Sequence, residues 1–207
     1  MKEPDLPKGV TSSKAGAIAR RLGSISGGRI LDGATGNGAF IETLTKTLGY
    51  YDSIVGIDNY PSGIPRELVD SANRRFEGKS ISFLQMNAED LAFEDESFDI
   101  VCISHSLHHL ADIEKALGEM KRVLRTGGLF VVQECYCDGD QTMAQRAEIL
   151  KHEWGARIDT LLGVTHNQTF SRRRIMDITD RLGLRELDVY DSTHSVDCLY
   201  CDRRHEC

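Results

Sequence analysis

At 207 residues, with 40% hydrophobic and 28% charged side chains, the chain has the make-up of one soluble globular domain long enough to bury a core. A formal net charge of -7 argues against a nucleic-acid partner gripped through its phosphates, since the one basic run, Arg172-Arg173-Arg174, reads as a solvated helix start. No apolar stretch approaches the roughly 20 residues of a membrane span, no signal-peptide core is present, and six unevenly scattered cysteines imply no disulfide framework, so a cytoplasmic protein with reduced thiols is expected.

Residues 1–11, with Pro4, Pro7 and Gly9, read as a loose lead-in, and Ser12 or Ser13 caps a helix that turns Ala17, Ile18 and Leu22 inward. Arg29-Ile30-Leu31 is a short apolar strand that ends in Asp32 and passes through Gly33-Ala34-Thr35-Gly36-Asn37-Gly38. A helix follows, with Phe40, Ile41, Leu44 and Leu48 on one face and Gly49 placed for a left-handed cap. Gly36 and Gly38 admit conformations closed to other residues, and the helix start offers unpaired N–H groups. Asp32 at the strand mouth suits a cationic or hydroxylated ligand, so the stretch reads as a small-molecule site. The glycines run G-x-x-G-x-G behind an acid, whereas a dinucleotide dehydrogenase shows G-x-G-x-x-G facing a pyrophosphate. A carboxylate would repel that pyrophosphate but suits the α-amino group of an amino acid.

Residues 53–58 form a second buried strand, and Asp58 at its end is placed for the hydroxyls of a ribose. Its plainer role is a helix cap, because Asn59-Tyr60-Pro61 lead into a helix carrying Ile64, Leu68, Ala72 and Phe76. A third strand, 81–86, runs into Asn87-Ala88-Glu89-Asp90, where a short polar side chain and a backbone N–H suit a purine edge. A fourth, 99–104, opens into His105-Ser106-Leu107-His108-His109-Leu110. The helix behind it turns Ile113, Leu117, Met120 and Leu124 inward, and Gly127-Gly128 leads into a fifth strand, 129–134. Strands alternating with helices predict one parallel, doubly wound sheet.

Six motifs in this order resemble the class I S-adenosylmethionine-dependent methyltransferases, of the small-molecule type related to the ubiquinone/menaquinone C-methyltransferases. They are residues 30–38, residues 55–58, Asn87-Ala88-Glu89-Asp90-Leu91, Ser97-Phe98-Asp99-Ile100-Val101, Leu107-His108-His109-Leu110 and Val123-Leu124-Arg125-Thr126-Gly127-Gly128. The resemblance spans 13–134 and, more loosely, the remainder. It implies a single α/β domain over 1–207 with a Rossmann-like, seven-stranded sheet, mostly parallel with the last strand antiparallel, and helices on both faces. It also implies methyl transfer from S-adenosyl-L-methionine to a small-molecule acceptor, leaving S-adenosyl-L-homocysteine, by a monomer or homodimer.

By the same resemblance, Asp32, Gly33, Ala34, Thr35, Gly36 and Gly38 hold the methionine part, Asp58 with Asn59 the ribose, and Asn87, Ala88 and Glu89 the adenine. Ser104 and His105 then lie toward the sulfonium carbon, with His105 the candidate base if the acceptor must lose a proton. Three positions depart from the family pattern: Ala34 for Gly, Asn87 for Asp and Thr126 for Pro.

Beyond residue 134 the sequence is less specific. Met143, Ala147, Leu150 and Trp154 form one face of a helix that either covers the acceptor, within 138–170, or packs as an outer helix. Glu134, Tyr136 and His166 are candidate acceptor contacts. Ser171 caps a helix with Ile175, Ile178 and Leu182; residues 186–190 and 198–201 are the expected sixth and seventh strands. At least one of His108 and His109 reads as structural, and no metal is assigned to the histidines because the sequence identifies no further ligands. Cys198-x-x-Cys201 with His205 and Cys207 would make a zinc site only if four ligands converged, which a strand there opposes. A non-catalytic cofactor-binding sensor or partner subunit is the alternative, and an NAD-dependent oxidoreductase is disfavoured by the glycine order and Asp32.

Overall fold

The computed structural model describes residues 11–12, 27–60 and 65–191. In chain order the elements are β1 (Thr11–Ser12), β2 (Arg29–Gly33), α1 (Ala39–Thr47), β3 (Ser53–Asp58), α2 (Arg66–Arg75), β4 (Ile81–Gln85) and β5 (Phe98–Ser104). After a single 3-10 turn (Leu107–His109) come α3 (Ile113–Val123), β6 (Leu124–Gln133), α4 (Met143–Leu161), α5 (Arg172–Arg181) and β7 (Tyr190–Asp191).

Five strands form one sheet in the order β4-β3-β2-β5-β6, and every pairing is parallel. The near-continuous apolar runs of the three central strands, β3, β2 and β5, suit a sheet covered on both faces. Period-2 alternation sorts neighbours to opposite sides. Leu31, Val55, Val101 and Ile103 pack in one core with Leu117, Met120 and Val123 of α3 and with Ile178 of α5. Ile30, Ile54, Ile100 and Cys102 pack in the other with Phe40, Ile41 and Leu44 of α1 and with Phe76. The chain leaves β2 toward β3 on one side, and β5 later takes the other side. This switch point opens a crevice beyond the strands' carboxyl ends, where ligands of such sheets bind.

The sheet differs from the seven-stranded expectation. Among the described residues it has five strands, all parallel, with no antiparallel member. Of the predicted sixth strand only Tyr190 is extended into a pairing; Tyr190–Asp191 joins Thr11–Ser12 in a separate parallel pair. The predicted seventh strand, the helix expected after Ser13 and the C-terminal cysteine and histidine cluster lie outside the described residues. Gly49 is not a left-handed cap: α1 ends when Leu48 turns extended, its N–H still donating to the Leu44 carbonyl.

Helix α4 begins at a capping box, Thr142 accepting from the Gln145 N–H while the Gln145 side chain accepts from the Thr142 N–H. It does not pack as an outer helix through its apolar face, since Met143, Leu150 and Trp154 are 62%, 66% and 72% exposed. Ala156 is its buried residue. No helix of the described residues is long and apolar enough to cross a membrane.

Candidate active site

The turn after β2 carries three positive φ values, 51° at Ala34, 52° at Gly36 and 75° at Gly38. Their reasons differ. A Cβ at Gly36 would meet nothing within 4 Å, so this backbone faces open space, whereas one at Gly38 would lie 2.8 Å from the Phe83 ring. Gly38 is therefore a packing requirement. Thr35 fixes the turn's inner edge: its N–H donates to the Ile57 carbonyl (2.9 Å) and its hydroxyl to Asp32 Oδ2 (2.6 Å). Asp32 is buried, and its Oδ1 has no hydrogen-bond partner. Burial raises its pKa to about 7, against the Thr35 hydrogen bond and with added repulsion from Asp58.

Asp58, at the end of β3, closes onto this turn by accepting the Gly36 N–H at 2.7 Å. Tyr60 donates its hydroxyl to the Gly36 carbonyl (2.5 Å), and its own carbonyl accepts from Gln85 Nε2 (2.8 Å). Burial and the charges of Asp58 and Asp32 push the phenol up to about 12, so it remains a donor. Its place two residues beyond the strand-end acid was the only sequence signal for Tyr60. Asn59 is exposed.

Beyond β4, Asn87 is exposed and uses its Oδ1 to accept the Glu89 N–H (3.0 Å), a local turn. Ala88 is buried, and Glu89 Oε1 accepts the N–H of Asp112, the N-cap of α3, at 2.9 Å. The loop is thus shaped by its own polar groups.

At the end of β5, Ser104 donates to Gln133 Oε1 (3.2 Å), and Ser106 Oγ lies 3.0 Å from the Ala34 carbonyl, tying this strand end to the glycine turn. His105 has a left-handed backbone, φ 49°, and its N–H donates to the Gln133 carbonyl at 2.7 Å. Its Nδ1 lies 3.3 Å from Cys135 Sγ. Partial burial lowers its pKa, with Glu134 opposing and His108 adding to the effect.

Glu134, just past β6, is the hub of the next layer. It accepts the N–H groups of Leu107 (2.8 Å) and Cys135 (2.9 Å) and meets His108 Nδ1 at 3.2 Å. Burial alone would raise its pKa; the His108 contact and the two N–H groups bring it below the ordinary carboxylate value. Around His108 gather His109, His152 and His166, with ring centres 4.3, 4.5 and 5.4 Å from it. No sequence motif announces His152, which reaches this cluster from the middle of α4. Tyr136 forms an isolated parallel bridge with Phe170.

With this geometry in hand, comparison with known proteins is specific. Residues 31–132 match the methyltransferase domain family. A demethylmenaquinone methyltransferase of Thermus thermophilus is 39% identical over 106 residues, 51% of this chain and 46% of that protein. A ubiquinone/menaquinone biosynthesis C-methyltransferase of Hahella chejuensis is 36% identical over 117 residues, 55% of this chain and 45% of that one. Residues 31–132 thus carry a methyltransferase domain of that family. The fold agrees: the crystal structure of the YcgJ protein of Bacillus subtilis gives a TM-score of 0.62 at 23% identity, covering 83% of this chain and 68% of YcgJ. The chain spans about half the length of the curated relatives it matches.

Proposed function

We propose that this methyltransferase moves the methyl group of S-adenosyl-L-methionine to a small-molecule acceptor. The observation that carries the reading is Asp32 Oδ1, a buried carboxyl oxygen without a partner below a turn whose Gly36 backbone faces open space. A buried polar atom is costly unless paired, and the ammonium of an amino-acid cofactor would pair it. These residues fit S-adenosyl-L-methionine.

When bound, that cofactor supplies a methyl carried on a sulfonium, whose displacement needs in-line alignment more than covalent help. The chain supplies binding and position. Asp32 holds the ammonium end in this reading. Asp58 spends one carboxyl oxygen on Gly36 and has the other to offer to ribose hydroxyls, beside Asn59. Asn87, Ala88 and Glu89 form the loop assigned to the adenine. Ser104 and His105 stand at the β5 end, on the acceptor side. His105, whose partial burial disfavours the imidazolium, is suited to take a proton from an acceptor that must lose one. Segment 138–170 is the cover over the acceptor, and the free thiols of Cys102, Cys135 and Cys137 fit a reducing compartment such as the cytoplasm.

The test is thermal unfolding with and without S-adenosyl-L-homocysteine, with NAD alongside. At about 100 times its dissociation constant the nucleoside should add roughly 2.7 kcal/mol, a rise of several degrees. Asp32→Ala should remove that rise. A rise with NAD alone, or no rise with either ligand, overturns the reading.

A further inference from the structure

We propose that His108, His152 and His166 form a three-imidazole site for a divalent transition-metal ion of the zinc class. The three residues come from the 3-10 turn, the middle of α4 and the loop after α4, so no short sequence motif announces them. One ligand atom from each lies within 4.8 Å of the other two. His152 Nε2 and His166 Nε2 are 3.1 Å apart; two nitrogens bound tetrahedrally to zinc at 2.0–2.1 Å sit about 3.3–3.4 Å apart.

The second layer argues more strongly still. Each ring has its Nδ1 held by an oxygen, leaving Nε2 as the ligand: His108 by Glu134 Oε1 at 3.2 Å, His152 by the Thr169 hydroxyl at 3.0 Å, and His166 by Asp159 Oδ2 at 2.6 Å. Carboxylates and hydroxyls that orient the far nitrogen of an imidazole are the usual outer shell of a metal site. His152 stands at 90° to His108 and 80° to His166, while the His108 and His166 rings lie nearly parallel, at 24°. Placement is also fixed by backbone, because Asn167 N–H and Nδ2 both donate to the His108 carbonyl, at 2.7 and 3.2 Å. His108 and His166 side chains are each 9% exposed, so the site is shielded.

Three neutral imidazoles without a thiolate favour Zn²⁺, Co²⁺ or Ni²⁺ over Mg²⁺ and Ca²⁺, which want oxygen. A tetrahedral ion would have one position left for water or for an acceptor oxygen, and an open pocket of about 410 Å³ beside α4 reaches His166. Glu134 links this site to the acceptor side, since Cys135, whose N–H it accepts, touches His105. Holding an acceptor oxygen is a role that rests on the methyltransferase reading; the metal site does not.

The experiment titrates Co²⁺ into chelator-treated full chain and follows visible absorption, with Zn²⁺ competition and S-adenosyl-L-homocysteine binding on the same samples. The expected result is one ion per chain, intense tetrahedral bands without thiolate charge transfer, and displacement by Zn²⁺. His152→Ala and His166→Ala should abolish saturation, and Asp159→Asn should weaken it by about 10–100-fold while leaving nucleoside binding intact. If the alanine variants fail to fold, Asp159→Asn and Thr169→Ala carry the test. No saturable binding, thiolate bands, or binding lost in Cys135→Ser or Cys198→Ser but kept in His152→Ala would overturn the site. Metal binding without nucleoside binding would sustain the site and overturn the methyltransferase reading alone.

Discussion

Asp32, the residue proposed to hold the cofactor's ammonium, has a pKa of about 7 against an ordinary 3.8. Between those values the folded chain keeps a proton that the unfolded chain has lost, so this group's stabilisation is full below about pH 4 and falls as pH rises to about 7. At 1.36 kcal/mol per pH unit, the cost at neutral pH is as much as about 4 kcal/mol. Asp32→Asn should flatten this pH dependence and raise the apoprotein's melting temperature at pH 8, while weakening S-adenosyl-L-homocysteine binding. Wild-type affinity for the nucleoside should in turn tighten as pH rises through 7, because an ammonium pairs with the ionised carboxyl. Calorimetry across pH 5–8 measures both, and a flat wild-type profile would remove the role given to Asp32. Two positions along, Ala34 holds φ 51°, which costs an L-residue roughly 1–2 kcal/mol. Glycine would relieve that strain but add about 0.4–1 kcal/mol of unfolded-chain entropy. Ala34→Gly should therefore raise the melting temperature by no more than a few degrees, read by thermal scan.

Helix α3 shows how one element serves both packing and site. Its N-cap Asp112 accepts the Lys115 N–H at 3.0 Å, and Asp112's own N–H is taken by Glu89 from the loop after β4. Asp112→Ala should cost about 1 kcal/mol, a fall of roughly 2–4 °C for a chain of this size. Elements of this kind were legible in the sequence where pattern and punctuation agreed. The apolar runs at Ile30, Ile54 and Ile100 became buried strands, and the acids Asp32 and Asp58 fell at their ends as expected. The stretch 186–190 shows why the rest was not. Its alternation suits a strand, but pairing also needs a neighbour's N–H and C=O groups, and only Tyr190–Asp191 finds one, in β1. Periodicity reports which face a residue prefers and is silent about partners.

Across the whole molecule the same limit hides the histidine cluster. The glycine turn is built from residues a few positions apart, so spacing reveals it. His108, Glu134, His152 and His166 meet only because β5, β6, α4 and the loop after α4 converge at one end of the sheet. Asn167 is the pin of that convergence: besides its bonds to the His108 carbonyl, its Nδ2 lies 3.3 Å from the Leu110 carbonyl. Removing the amide with Asn167→Ala keeps the backbone bond and loses the side-chain ones, each worth about 1 kcal/mol net. The expected outcome is faster amide hydrogen exchange across residues 165–169, a melting temperature lower by a few degrees, and Co²⁺ binding weakened through the displaced His166. Nucleoside binding should not move, because Asn167 touches none of the groups around Asp32 and Asp58. If exchange in the loop stayed at the wild-type rate, the loop would be held by the Tyr136–Phe170 bridge and the Asp159–His166 pair instead. Asp159→Asn would then become the substitution that frees it.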